Sequence, residues 1–144
     1  MREIKGDLWD HHGLIGVTTN GVIKSNGELV MGKGIALQAA QLYPNLPKLL
    51  GDAVAIHGNK LLYVKAYDIV SFPTKNHWRD KSDIDLILQS SIELYTLLKQ
   101  LSFPDYFMTR PGCGNGGLNW RTEVKPVIEL LFPDNVTIVN NTDY

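Results

Sequence analysis

The sequence predicts an α/β domain with a largely parallel sheet covered by helices on both faces. Short apolar runs of buried-strand length alternate along the chain with segments of helical period. Strands separated by helices need crossover connections, which are right-handed and lay helices on both sides of the sheet. No internal repeat and no low-complexity tract interrupts this alternation.

Arg2 to Lys5 is short enough for an edge strand, and Leu14-Ile15-Gly16-Val17 is an apolar run of buried-strand length. After a long loop, Ile35, Ala36, Ala39, Ala40 and Tyr43 recur at helical spacing and stop before Pro44. Leu46 to Ile56 reads as a second helix. Leu61 to Val64 and Asp68 to Phe72 read as strands, the latter closed by Pro73. Ser82 is the expected N-cap of a long amphipathic helix whose apolar face is Ile84, Leu88, Ile92, Tyr95 and Leu98. Tyr106 to Thr109 is a strand, Trp120 to Phe132 a helix and Val136 to Val139 the last strand.

The 144 residues suit one domain, 1–144, and 44% hydrophobic with 20% charged residues is ordinary for a folded chain. Fourteen Lys plus Arg against 15 Asp plus Glu exclude a general basic field, so any nucleic acid must be recognised locally. The single cysteine, Cys113, can form neither an internal disulfide nor a thiolate metal cluster, which points to a reducing compartment. The start carries no apolar signal core and no run approaches a membrane span, so a cytoplasmic protein with no membrane association is expected. It is further expected to act as a monomer, without metal or cofactor.

Chemistry concentrates in three loops, 18–34, 73–81 and 111–119. Each follows a predicted strand, and ligands of such sheets bind at the strands' carboxyl ends, so the three should line one cleft. Pro111-Gly112-Cys113-Gly114-Asn115-Gly116-Gly117-Leu118-Asn119 holds four glycines in nine residues before a helix. Close backbone approach or positive φ needs that many, and inward-turned N–H groups beside a helix N-terminus suit a diphosphate; the alternative is a flexible turn. Met31-Gly32-Lys33-Gly34-Ile35-Ala36 is a second glycine pair at a helix start. It is no Walker motif, because Gly34 and no Ser or Thr follows Lys33. Gly112, Gly114 and Gly117 have dinucleotide-fold spacing but stand too near the carboxyl end for the strands that must follow.

These loops, with Gly6-Asp7 after the first strand and Thr18-Thr19-Asn20 after the second, resemble the macrodomain family of ADP-ribose binders over nearly the whole chain. Phe72-Pro73-Thr74-Lys75-Asn76-His77-Trp78-Arg79 together with Gly112 to Leu118 resembles the antitoxin branch that removes ADP-ribose from thymidine in DNA. The resemblance implies a three-layer α/β/α macrodomain with a mixed, largely parallel central sheet. It implies that Asp7, with Leu8 beside it, receives the adenine amine, a role a carboxylate acceptor suits; a solvated aspartate is the alternative. It implies that Asn20 meets the distal ribose, although Asn20-Gly21 also reads as a plain turn pair. Met31, Gly32, Lys33, Gly34, Ile35 and Ala36 would curl around that sugar and the diphosphate. Gly112, Cys113, Gly114, Asn115, Gly116, Gly117 and Leu118 would clamp the diphosphate from the other side.

By the same resemblance Lys75, next to Thr74, lies beside the anomeric carbon of the distal ribose, where an amine can attack it or stabilise the departing base. His77, Trp78 and Arg79 are the candidate contacts to DNA or the modified base, with a core anchor as the other reading of Trp78. The chain departs from the branch in carrying Val22 to Leu29 between Asn20 and the glycine pair. It also holds Asn115, Gly116 and Asn119 where hydrolases of protein-linked ADP-ribose carry an acid. His11-His12 lacks companions for a zinc site and reads as surface, and Cys113 reads as a small packing residue. The expected function is hydrolysis of ADP-ribosyl linkages, preferentially on thymidine in DNA. The alternatives are an ADP-ribose 1''-phosphate phosphatase and a non-catalytic reader of ADP-ribose.

Overall fold

A computed structural model describes residues 1–141. Six strands form one sheet: β1 (Arg2–Lys5), β2 (Leu14–Thr19), β3 (Leu62–Val64), β4 (Ile69–Pro73), β5 (Tyr106–Met108) and β6 (Val136–Asn140). Their order is β1-β6-β5-β2-β4-β3. The five strands from β1 to β4 run parallel, and β3 alone pairs antiparallel, with β4. The sheet is therefore mixed and largely parallel, and β1 is an edge strand as its length and polarity require.

Successive side chains of a strand face opposite sides, so a strand covered on both faces must be apolar throughout. In β2, Leu14 joins one buried cluster while Ile15 and Val17 join the other; in β4, Val70 and Phe72 part from Ile69 in the same way. The first cluster takes Ile87, Leu94 and Leu98 of α3 (Ile84–Gln100) and Ile128 of α4 (Lys125–Ile128). The second takes Ala39 of α1 (Gly34–Leu42) and Leu46 and Leu50 of α2 (Leu46–His57). Two helices thus cover each face, which makes the three layers. Gly16 of β2 leaves room for the fully buried Tyr106, since a Cβ on Gly16 would stand 1.9 Å from the phenol oxygen.

Three expectations are corrected. The N-cap of α3 is Asp83, whose carboxylate accepts from the N–H groups of Asp85 and Leu86; Ser82 is buried instead, its N–H donating to Gly116 O at 2.8 Å. The buried face of α3 is Ile87, Ser90, Ser91, Leu94 and Leu98, while Leu88, Ile92 and Tyr95 are exposed. The two serines can face inward because Ser90 donates to Pro73 O and Ser91 to Ile87 O, so neither hydroxyl is left unsatisfied. Finally, Trp120 to Phe132 is not one α-helix. Trp120–Val124 is a wide turn in which Lys125 N–H reaches back five residues to Trp120 O, followed by the four residues of α4. Pro126 has no N–H to donate and its ring crowds the preceding turn, which opens the register there.

Candidate functional site

The carboxyl ends of all five parallel strands open into one cleft of about 820 Å³, a volume typical of small-molecule sites. Gly6 and Asp7 follow β1, Thr18 to Asn20 close β2, Thr74 and Lys75 follow β4, Thr109 and Arg110 follow β5, and Val139 and Asn140 close β6. From β2 the chain moves outward to β4 and then crosses back to β5. The loops after β2 and β5 therefore diverge, leaving the crevice in which open α/β sheets hold their ligands.

Two backbone features face each other there. Gly34 has φ +57° and begins α1, whose first turn has no side-chain cap and so presents free N–H groups and the positive end of the helix dipole. Opposite lies the tight turn Gly114–Gly116, also without a side-chain cap. A Cβ on Gly34 would come within 3.2 Å of Asn115 Nδ2, so the two loops almost touch. A Cβ on Gly32 or Gly114 would meet nothing within 4 Å, which leaves the backbone of both open to an occupant. Among the described residues lining the cleft, Lys33, Lys75 and Arg110 face a single carboxylate, Asp7. Uncapped N–H groups and an excess of cations make a site for a diphosphate.

Lys75 ties the second loop to the third: its Nζ donates to Trp78 O at 3.3 Å and to Asn115 O at 3.2 Å. Asp7 stands at the other end, after the edge strand, where its carboxylate also accepts from Trp9 N–H at 2.9 Å and caps a short turn. Four strand spacings of about 4.8 Å separate β1 from β4, placing the two residues roughly 19 Å apart. Asp7 is therefore too distant to act as a base on a group held by Lys75.

Of the sequence-predicted residues, Asp7, Leu8, Asn20, Met31 to Ala36, Thr74, Lys75 and Gly112 to Gly116 all line this cleft. Gly117 and Leu118 do not: Gly117 turns the chain at φ +77°, and Leu118 packs on the core and donates its N–H to Gly112 O. The segment between Asn20 and the glycine pair is a small hairpin. Val30 N–H pairs with Val22 O, and Ile23 bridges Leu29. Asn20 holds its base, donating to Val30 O and accepting from Val22 N–H, both at 2.9 Å, so the inserted residues leave Asn20 in the cleft wall. Trp78 is 47% exposed at the cleft rim and is no core anchor; Arg79 lies over its ring at 5.5 Å and His77 beside it, both outside the lining. Burial pushes the Cys113 thiol up to about 11, and it packs against the core, as a residue without nucleophilic duty does. His12 is exposed, whereas His11 stacks on Phe107 at 4.7 Å. No cluster of metal-ligating side chains occurs among the described residues.

Sequence reasoning missed Arg110, Gln38, Ser82 and Asn140, all of which line the cleft. Arg110 was within reach, because a charge directly after a buried parallel strand lies on the ligand edge; its guanidinium sits 5.4 Å over Trp120. Gln38 stands one helical turn after Gly34, hence on the same face, and accepts from Trp9 Nε1 at 2.7 Å. Ser82 carried only a capping signal.

No family model matches the chain. Proteins named DNA ADP-ribosyl glycohydrolase match it from Mycobacterium tuberculosis, 33% identical over 102 residues, and from Thermus aquaticus, 31% identical over 109 residues. These matches take in 63% and 69% of this chain but only 28% and 30% of those relatives, so the chain spans less than a third of their length. Among solved structures, the macrodomain of M. tuberculosis DarG superposes with a TM-score of 0.80 at 29% identity, covering 99% of this chain and 97% of that one. The macrodomain of T. aquaticus DarG gives 0.78 at 28% identity over the same shares. Thermosipho africanus DarTG, solved in complex with ADP-ribose, shares the fold with a TM-score of 0.79 at 23% identity over 96% of this chain and 41% of that one. Strand order, the cleft at the carboxyl edge and these similarities agree that the chain belongs to the macrodomain family, in its DarG branch.

Proposed function

We propose that this domain binds ADP-ribose along the cleft and hydrolyses ADP-ribosyl linkages, with thymidine in DNA as the preferred leaving group and Lys75 as the catalytic residue. The observation that carries the reading is the position of Lys75, on the cleft wall between the second and third loops and four strands away from Asp7. An extended ligand with its adenine at Asp7 and its diphosphate between the α1 N-terminus and Gly112 to Gly116 brings its distal ribose to Asn20, Thr74 and Lys75. The names of the glycohydrolase relatives and the ADP-ribose held by T. africanus DarTG support the same assignment.

In the reaction the bond from the anomeric carbon to the base breaks, the hydroxyl of water ends on that carbon and its proton on the base. Lys75 donates two hydrogen bonds to carbonyls, which fix its Nζ on the cleft wall and leave its third tetrahedral position open to the ligand. From there the amine can attack the anomeric carbon or stabilise the departing base. Among the described residues lining the cleft there is no carboxylate at that end, consistent with an amide, Asn115, in the third loop. Trp78 at the rim, with Arg79 over its ring, offers a stacking surface to a neighbouring nucleobase. A domain that acts as a monomer in the reducing cytoplasm, with Cys113 as a free thiol, completes the reading.

The test is to assay ADP-ribose release from thymidine-modified DNA, from modified protein and from the 1''-phosphate in parallel. Lys75→Ala should lower release from DNA by at least about 100-fold, the usual weight of such a group, while free ADP-ribose binding stays within roughly tenfold. Lys75→Arg should fail as well, since a planar guanidinium cannot place its charge at the same point. Wild-type turnover by Lys75→Ala would overturn the mechanism. Action on the 1''-phosphate alone, or tight binding without product, would replace it with a phosphatase or a reader.

A further inference from the structure

We propose that Asn59 is a positioning residue for Lys75; the inference rests on the role just given to that lysine. Asn59 lies in the connection between α2 and β3 and lines no part of the cleft. Gly58 closes α2 at φ +84°, and Lys60 N–H turns back onto Gly58 O at 3.0 Å, which directs the half-buried Asn59 side chain at the second loop. There Asn59 Nδ2 donates to the backbone carbonyl of Lys75 at 2.9 Å and reaches Asn76 Oδ1 at 3.2 Å. The carbonyl of Asn76 in turn accepts from Gly21 N–H at 3.2 Å. Asn59 therefore ties the second loop to the α2–β3 connection, immediately at the residue whose side chain reaches the reacting end, while the Gly21–Asn76 bond ties it to the first loop.

The preceding residue is already fixed. Thr74 donates to Thr19 O at 3.0 Å and accepts from Asp83 N–H at 2.9 Å, which continues the strand pairing one residue past β4. Beyond it the sheet supplies nothing, and the next carbonyl, that of Lys75, is held by Asn59. Without this hydrogen bond the peptide after Lys75 can rotate, and the long side chain converts a small rotation into a displacement of the ammonium. Gly21 belongs to the same device: a Cβ there would lie 3.0 Å from both Asn59 Cγ and Nδ2 and push the amide away. Asn20-Gly21 is thus more than a turn pair, Asn20 holding the hairpin and Gly21 making room for Asn59.

Release of ADP-ribose from thymidine-modified DNA tests this with Asn59→Ala and Asn59→Asp, the second keeping the shape but having no N–H to donate. Both should lose roughly tenfold to a hundredfold in kcat, the cost of an ångström-scale misplacement, while KM and the calorimetric affinity for ADP-ribose stay within about twofold. Gly21→Ala should show the same pattern. The rate at which an amine-acylating reagent labels Lys75 in the unliganded protein, read by mass spectrometry against Lys60, should also change in Asn59→Ala. Wild-type kcat in either Asn59 variant, or a fall in affinity as large as the fall in kcat, would overturn the proposal. If the wild-type domain releases no ADP-ribose from DNA, the proposed function fails; the labelling then decides Asn59 alone, and an unchanged Lys75 rate overturns it.

Discussion

Asp7 uses one carboxylate twice, capping the turn Leu8–Asp10 through Trp9 N–H and facing the cleft beyond β1. Its second oxygen is free for an exocyclic amine, so Asp7→Ala should weaken ADP-ribose binding by roughly 1 to 3 kcal/mol, the range for a hydrogen bond to a charged group. Calorimetry well below the melting temperature separates this from the lost cap, and unchanged affinity would remove Asp7 from the site. Gly116 should be as sensitive for a different reason. Of the two reasons such a loop needs glycine, positive φ holds at Gly112, Gly114 and Gly117 but not at Gly116. At Gly116 the constraint is space, since a Cβ would stand 2.3 Å from Ser82 Oγ. Gly116→Val should therefore lift the third loop off Ser82 and weaken binding, and normal binding would place the clamp elsewhere. Glycine-rich chemistry was legible in the sequence. The partner that makes each glycine necessary was not, because Ser82 and Gly116 are 34 positions apart and meet only after folding. Lys75 was legible only by resemblance, since its meaning lies in two carbonyls, one of them 40 residues away.

Among the elements, the inserted hairpin shows how a departure from a family pattern is made compatible with the site. Leu29, 1% exposed, donates its N–H to Pro47 O at 2.8 Å, and the hairpin's Gly27 presses its carbonyl against Gly51 in the middle of α2. Helix propensity alone says that Gly51→Ala should stabilise α2 by about 1 kcal/mol. The structure reverses the sign. A Cβ at Gly51 would lie 1.9 Å from Gly27 O, a backbone atom that cannot swing aside. We expect Gly51→Ala to lower stability by about 1 to 3 kcal/mol, the cost of overpacking, in urea denaturation, and to weaken ADP-ribose binding because the hairpin base carries Asn20. A stabilised variant would mean that the hairpin is only loosely docked. Element types followed from period and punctuation almost throughout, because buried parallel strands are continuous apolar runs that few other segments imitate. Faces and boundaries were less legible. The helix α3 is apolar on two adjacent faces, and its inner one contains Ser90 and Ser91, whose polarity is cancelled by carbonyl acceptors that the sequence does not display. The break at Pro126 was readable, as proline inside a helical period opens it.

Across the whole molecule, the sheet sets the length of the ligand. The proposed adenine contact lies after β1, the proposed clamp after β2 and β5, and Lys75 after β4, so these contacts span five parallel strands whose order no local pattern reveals. Sequence could say that loops after strands share an edge. Only the order β1-β6-β5-β2-β4 says that Asp7 and Lys75 stand at opposite ends of it. A ligand must then be long to use the site fully. AMP reaches from Asp7 to the nearer part of the clamp, and ribose 5-phosphate reaches from the clamp to Asn20 and Thr74; each leaves uncapped N–H groups at Gly34 to Ala36 or the Gly114–Gly116 turn without an anion. Of the three, ADP-ribose alone carries a diphosphate between adenosine and a second ribose, and it would satisfy both walls while paying the entropy of association once. We therefore expect ADP-ribose to bind at least about tenfold more tightly than either fragment, a difference of roughly 1.4 kcal/mol. The melting temperature should rise correspondingly further with ADP-ribose than with equal concentrations of AMP, because a ligand of the folded state alone stabilises it by RT ln(1 + [L]/Kd). Calorimetric titration with the three compounds, alongside thermal unfolding in their presence, measures both. Equal affinity for AMP and ADP-ribose would mean that the two glycine loops do not act together, and that the cleft, though continuous in shape, binds only at its adenine end.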